Sequence, residues 1–457
     1  MSSSLVSGAA VNTTAAPGSF DDICALSPLQ QEILSDPNHA DYAEQALWTD
    51  DLPLDGELLK RSWELLAQRH PILRTLFRHA RKQPVQIIRA HAQVALTLHH
   101  LNHEPEAKQQ EMLQQVIQQE LALPFDLAKG PLFRISAFRF FDNSFKTLLT
   151  FHPILMDRRT VEMVHREVSA IYQALANGDA PPEHDAPTVK DFILWLKRQD
   201  SAEASRYWEQ CVAGASATHF PADHPQGTGH RDHAKRETSL ADGLTLSVKT
   251  LAAQCDVGVP AVLQAAWALL LGRYTGATDV TFGLAMDGRP PGLGGSERIA
   301  GRFAHTLPVR VRVEAGENLT DLLHAVQQQI INVNRYGFLP LSQAGASGGV
   351  PPSGKVFNTV FREAAAIAGD QGSAGLQFLS GRAGDDAHPG LTMEAVQGTA
   401  IHIAVYFQEA VFESSAIESL LASFRQLVES MAADPHAAIE DLEILPVEER
   451  RRVLAFA

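Results

Sequence analysis

The stretch from Lys146 to Ile171 constrains the fold of this chain strongly, because its residue pattern changes abruptly along its length. Lys146 to Phe151 is short and β-prone, which predicts a strand. Beyond residues 152–158, apolar side chains recur at the spacing of one helix face: Val161, Val164, Val168 and Ile171. The sequence therefore predicts a strand that leads through a turn into a helix. A turn held between two rigid elements fixes its side chains well enough for chemistry.

Other segments predict both helices and strands. Leu54 to Arg69 carries apolar residues at helical spacing and is closed by Pro71, and Val259 to Tyr274 is a largely apolar run typical of a buried helix. Val280 to Leu284 and Leu307 to Val313 predict strands. Since helix and strand signals mix in both halves, the fold class is predicted to be α/β.

The turn carries a recognisable motif. Residues 152–158 read His-Pro-Ile-Leu-Met-Asp-Arg, which resembles the His-His-x-x-x-Asp-Gly signature of the condensation domains of nonribosomal peptide synthetases. Pro153 occupies the position of the second His, and Arg158 that of the Gly. The family assigns catalysis to the second His, because neutral imidazole can take a proton from an attacking amine near neutral pH. Proline cannot, so the resemblance implies a condensation domain with an atypical active site.

Five further landmarks extend this resemblance from about Phe20 to the C-terminus. They follow the family's order along the chain: Leu26 to Gln31, Arg69 to Phe77, Asp191 to Leu196 with Tyr207-Trp208, Gly288-Arg289-Pro290, and Gly301 to Val309. Ordered landmarks over most of the chain favour the family far more than one short motif does. They say much less about activity.

The resemblance implies a specific architecture. Family members contain two chloramphenicol-acetyltransferase-like lobes in a V-shaped pseudo-dimer, with a central tunnel that phosphopantetheine arms enter from both faces. Residues 20–178 are then the N-terminal lobe and residues 190–457 the C-terminal lobe, divided near the polar stretch at 177–188, which contains Pro and Gly. Residues 1–19, rich in Ser, Ala, Gly and Thr, are expected to form a disordered tail.

Composition restricts the classes of partner. The net charge of −15, from 53 acidic and 38 basic side chains, disfavours nucleic acid, which requires a surface that releases phosphate counterions. No apolar run approaches the roughly 20 residues that cross a bilayer, and the N-terminus lacks the pattern of a signal peptide, so a cytoplasmic protein without a membrane partner is expected. The three cysteines, Cys24, Cys211 and Cys255, fit reduced core residues.

The resemblance also suggests roles for individual residues. The family's equivalent of Asp157 is structural and pairs with an arginine; Arg289 is our first choice of partner and Arg74 the second, although a catalytic role for Asp157 stays open. His152 matches the first His, which mostly supports the fold of the turn, with direct catalysis as the alternative. His305 replaces the usual Asn on a late strand and is a candidate relocated base, with an ordinary hydrogen-bonded strand histidine as the alternative.

Binding residues are harder to assign from the sequence. Carrier proteins are usually acidic, so docking one on this acidic chain needs a local basic patch, for which Arg158, Arg159 and the stretch 78–82 are candidates, although each is also consistent with an ordinary solvated charge. His99, His100 and His103 cluster in sequence, but neighbours in a strand point to opposite faces. No metal site is therefore predicted.

Two functions remain open at this point. The first is a condensation enzyme that joins a carrier-bound acyl thioester to an amine or hydroxyl acceptor, by positioning or with a substitute base. The second is a catalytically silent condensation-like domain that recruits a partner enzyme or carrier protein. Both imply peptidyl or acyl carrier proteins and adjacent synthetase domains as partners. Substrates would arrive on phosphopantetheine arms, with no bound cofactor.

Overall fold

The computed structural model describes residues 20–50, 53–79, 83–142, 144–224, 233–314, 316–341, 357–365, 376–379, 390–446 and 450–451. The expected tail at 1–19 and part of the basic stretch at 78–82 lie outside these residues. The chain divides into two compact units. The first comprises residues 1–194, 297–302 and 375–382, and the second comprises residues 195–296, 303–374 and 383–457.

The first unit combines two sheets with helices. Its strands are β1 (Phe20–Ala25), β2 (Glu44–Asp50), β3 (Thr75–His79), β4 (Pro84–Arg89), β5 (Leu96–His100), β6 (Phe133–Arg139), β7 (Phe145–Phe151) and β12 (Gln377–Leu379). Its helices are α1 (Pro28–Ser35), α2 (Gly56–Arg69), α3 (Glu106–Ala122) and α4 (Arg158–Asn177), with α5 (Val189–Leu196) at the division between the units. In the described residues, one sheet has the order β1-β4-β3 and the other β12-β2-β7-β6-β5.

The helices α2 and α4 pack their apolar faces into the core of this unit, as their sequences predict. Leu59, Trp63 and Leu66 are buried on α2, and the four periodic apolar residues of α4 are all buried. Each fully buried side chain of this size contributes about 1.5–3 kcal/mol relative to leaving it exposed. Strand β7, which runs antiparallel to both β2 and β6, carries the chain from this core to residue 152.

The second unit is built around one sheet in the described part of the chain. Its order is β10-β9-β11-β13-β14-β8, with parallel pairing of β11 to both β9 and β13 and antiparallel pairing elsewhere. The strands are β8 (His233–Leu240), β9 (Asp279–Met286), β10 (His305–Arg312), β11 (Thr359–Ala365), β13 (Leu391–Gln397) and β14 (Ile401–Gln408). The helices are α6 (Ser201–Val212), α7 (Asp242–Gln254), α8 (Val259–Thr275), α9 (Leu319–Tyr336) and α10 (Ser414–Ala433).

Helix α8 forms the centre of the second core. Its residues 261–271 are all buried, including Trp267. This confirms the buried helix predicted from the apolar run. Among the described residues, no single helix is long and apolar enough to span a membrane; α7 and α8 together meet that length and composition, but the pair is bent by 102°. Both units mix helices and strands, so the predicted α/β class is correct.

Candidate functional site

The motif turn is built by proline and by backbone hydrogen bonds. His152 to Leu155 form a tight turn, closed by the Leu155 N–H donating to the His152 carbonyl over 3.0 Å. Pro153 occupies the second turn position, where its fixed φ is favoured and no amide hydrogen is needed. The turn is buried, and Pro153 is buried with it. Proline at the position of the family's second His therefore suits the local backbone, whatever it does to the chemistry.

His152 uses both ring nitrogens inside the core. Its Nε2 lies 2.7 Å from the carbonyl oxygen of His39, and its Nδ1 lies 3.1 Å from the Ile154 amide nitrogen. The amide can only donate and the carbonyl can only accept, so the ring is neutral with its proton on Nε2. Burial lowers the pKa of His152 to about 4. This imidazole is fully buried and engaged on both sides.

Asp157 is the N-cap of α4. Its side chain accepts a hydrogen bond from the Thr160 amide at 2.9 Å, which satisfies one of the unpaired donors at the start of the helix. The carboxyl group is buried, at 1% exposure. A negative charge is also favoured at a helix N-terminus by the helix dipole.

Thr160 joins the motif to a second landmark, at Gly301, through a contact that the sequence does not predict. Its hydroxyl donates to the Gly301 carbonyl at 2.8 Å and lies 3.1 Å from the Gly301 amide. The Asp157 amide also donates to that carbonyl, over 3.3 Å. Residues 297–302, although distant in sequence, thus belong to the first unit and cover the start of α4. The sequence carries no signal for this contact, because Thr160 and Gly301 are 141 positions apart.

Arg74 has its own partners within the first unit. Its guanidinium bonds to Asp21 at 2.5 Å, to the Ala67 carbonyl at 3.2 Å and to the Arg89 carbonyl. Arg74, our second choice of partner for Asp157, therefore ties the end of α2 to β1 and β4.

Arg158 and Arg159 open α4 on its exposed side. The Arg158 guanidinium lies 4.1 Å from the ring centre of Phe378 and 3.8 Å from a Glu162 carboxylate oxygen. Burial raises the pKa of Glu162, against the opposing effect of the nearby arginines. The cation–π contact with β12 could not be predicted, because β12 is over 200 residues away in sequence.

The second unit holds Arg289 and His305. The side chain of Arg289 is 2% exposed, pairs with Asp287 at 2.5 Å, and lies 4.5 Å from the ring centre of Phe303. The neighbouring Gly288 has φ +71°, and a Cβ there would lie 2.0 Å from the Phe303 carbonyl oxygen. The Gly-Arg-Pro landmark is therefore required locally for backbone conformation and packing.

His305, the candidate relocated base, begins β10. Its Nδ1 lies 2.7 Å from the Phe303 carbonyl oxygen and its Nε2 lies 2.7 Å from the Gly337 carbonyl oxygen at the end of α9. A neutral imidazole has one N–H and can donate to only one of these acceptors. Both nitrogens are thus directed at backbone, and the ring joins β10 to the end of α9.

Comparisons with known proteins agree with the landmarks. The family model for the condensation domain matches residues 21–454. A linear gramicidin synthase polypeptide of Brevibacillus parabrevis is 30% identical over 440 residues, which cover 94% of this chain and 9% of that relative's length.

Solved structures share the fold. A four-domain nonribosomal peptide synthetase bound to AMP and glycine superposes with a TM-score of 0.71 at 16% identity, covering 96% of this chain and 35% of that one. An X-domain from teicoplanin biosynthesis, solved in complex with OxyB, gives a TM-score of 0.73 at 22% identity and covers 96% of this chain and 99% of that one. With the family model matched along nearly its whole length, the chain belongs to the condensation-domain family of nonribosomal peptide synthetases.

Proposed function

We propose that this condensation domain joins a carrier-bound acyl thioester to an amine or hydroxyl acceptor by positioning the two, without a general base at residues 152 and 153. Family membership supports the reaction type. The geometry of the motif turn supports the absence of a general base, because Pro153 cannot accept a proton and both nitrogens of His152 are already hydrogen-bonded. His305, with both nitrogens directed at carbonyl oxygens, is a poor substitute.

The chemistry can proceed without a side-chain base, but slowly. The acceptor nitrogen or oxygen forms a bond to the thioester carbonyl carbon, the carbon–sulfur bond breaks, and the thiolate leaves. The acceptor proton passes to water or to the departing thiolate. Positioning can lower the barrier by up to about 7–11 kcal/mol, whereas a general base adds a factor of about 10²–10⁴. A domain of this kind would therefore retain measurable turnover.

Substrate delivery follows from the same proposal. Peptidyl or acyl carrier proteins would present both substrates on phosphopantetheine arms, within a larger synthetase in the cytoplasm. The exposed Arg158 and Arg159 are proposed to contact an arm, whose phosphate carries negative charge. Both lie in the first turn of α4, where the helix dipole also favours an anion.

A second candidate is a catalytically silent domain that recruits a partner. The same observation favours it, because a turn that keeps its structural His and Asp but not its base is what selection for folding alone would leave. The X-domain solved with OxyB is an example of this fold bound to another protein. Recruitment of a partner enzyme or carrier protein by this chain is the corresponding hypothesis.

Product formation separates the two candidates. Carrier proteins loaded with an acyl donor and an amine acceptor are incubated with the chain and analysed by intact mass. Catalysis by positioning predicts product above the control without enzyme. It also predicts that Pro153→His raises turnover by up to about 10²–10⁴-fold. Pro153→Ala is the matched control, because it removes the ring without adding a base. It should not gain.

The remaining outcomes are equally specific. If His305 is a relocated base, His305→Ala lowers the native activity by a factor of about 10²–10⁴. Under our proposal it does not. Absence of product with the native chain and with Pro153→His, together with unchanged carrier affinity, would contradict the enzyme proposal and support recruitment.

A further inference from the structure

Three side chains from distant parts of the sequence converge in the first unit. His70 lies between α2 and the short 3-10 helix Pro71–Arg74, Glu167 lies on α4, and His184 lies in the irregular connection that follows α4. His70 Nε2 is 3.0 Å and His184 Nδ1 is 3.7 Å from the same Glu167 carboxylate oxygen. The three potential ligand atoms all lie within 4.8 Å of one another.

We propose that His70, Glu167 and His184 form a binding site for a divalent transition-metal ion of the zinc class. Imidazole nitrogen and carboxylate oxygen are ligands that zinc prefers, at about 2.0–2.2 Å. Ligands at that distance in a tetrahedron are about 3.3 Å apart. The two spacings to Glu167 lie on either side of this value, and the spacing between the two imidazole nitrogens, which is within 4.8 Å, would have to shorten by at most about 1.5 Å. The sequence predicts no metal site here, because these residues are separated by up to 114 positions.

Burial is graded in a way that suits entry of an ion. The His70 side chain is 4% exposed, whereas those of Glu167 and His184 are 24% and 19% exposed. The two imidazole rings are nearly perpendicular, with centres 4.6 Å apart. Three protein ligands leave a fourth position for water on the accessible side. The inner ligand is therefore fixed by the core, and the outer two can adjust.

Arg69 is the main opposing charge. Its guanidinium lies 3.9 Å from Glu167 and also bonds to the Pro182 carbonyl, so it occupies one side of the site. A nearby cation weakens metal binding by Coulomb repulsion. The alternative is a His-Glu-His cluster without an ion, in which His70 is hydrogen-bonded to Glu167 at 3.0 Å and His184 lies 3.7 Å from the same carboxylate. A bound ion would fasten the 179–188 connection to α2 and α4.

The test uses the full chain, which is first freed of metal with a chelator. Its affinity for Zn²⁺ is then measured by competition with a chromophoric chelator. We expect one ion per chain. His184→Ala should weaken binding by at least the roughly 10–100-fold that second-shell changes cost. His184 lies in an irregular, partly exposed connection, so this variant should fold. His91→Ala, at an exposed histidine of the same unit, is the matched control and should bind as the native chain does.

A second readout measures protection from proteolysis by bound Zn²⁺ instead of the affinity for Zn²⁺. Glu183 and Asp185 flank His184 and are exposed, so a glutamate-specific protease should cut there. Zn²⁺ should slow this cut in the native chain and in His91→Ala but not in His184→Ala. Equal Zn²⁺ affinity for native chain and His184→Ala, or no bound ion, would overturn the proposal. It does not rest on the proposed condensation activity and survives the failure of that activity.

Discussion

Lowering the pH should destabilise the first unit through His152, and Gln at this position should remove that effect. Burial gives His152 a folded-state pKa of about 4, against about 6.5 in an unfolded chain. Between these values the unfolded state binds more protons, so the stability contributed by His152 is complete above about pH 6.5 and is lost as the pH falls toward 4. From the two pKa values, the loss reaches about 2 kcal/mol at pH 5.

The measurement is a urea titration at pH 7.5 and at pH 5.0, in which unfolding is monitored by hydrogen exchange of peptides from residues 145–177. This readout reports the first unit separately. His152→Gln keeps a donor for the His39 carbonyl and cannot be protonated, so its stability should fall by about 2 kcal/mol less than that of the native chain over this range. His91→Gln, at an exposed site, should behave as the native chain does. Equal pH dependence of the native chain and His152→Gln would refute the inference that this imidazole is neutral and buried.

Two other predictions concern the landmarks. Asp157→Ala should lower the free energy of unfolding by about 0.5–2 kcal/mol through loss of the α4 cap, and by about 3–5 kcal/mol if it also leaves a buried arginine unpaired. Asp157→Asn keeps the cap, so comparing the thermal denaturation of the two variants separates these effects. A double-mutant cycle with Arg289→Gln tests the predicted pair. An unchanged melting temperature in Asp157→Ala would exclude both roles. Gly288→Ala should destabilise the second unit by about 1–3 kcal/mol or more, since it adds strain at positive φ and a contact with the Phe303 carbonyl. Gly294→Ala, where an added Cβ meets no atom within 4 Å, is the control, and equal melting of the two variants would contradict this account.

Local elements were predictable because their signals are local. The switch from a β-prone run to helical spacing placed β7 and α4, and the buried faces of α2 and α4 coincide with their apolar periodicity. The contacts that complete the motif turn were not predictable. The His39 carbonyl, Gly301 and Phe378 each come from a segment far from residues 152–158, and a single sequence does not show which distant segments meet. The same limit hid the His70, Glu167 and His184 cluster.

Retention of the motif is therefore weak support for catalysis in this chain. His152 is hydrogen-bonded to the backbone through both nitrogens, and Asp157 caps a helix of 20 residues. Loss of either would leave buried polar groups unsatisfied, at a cost of about 1–3 kcal/mol for each group. Both residues thus stabilise the fold whether or not the domain forms a bond. Pro153, by contrast, is buried but has no polar side-chain group, so replacing it breaks no side-chain hydrogen bond. A change in turnover in Pro153→His therefore tests the proposed chemistry, provided that the effect of removing the proline ring, measured in Pro153→Ala, is subtracted.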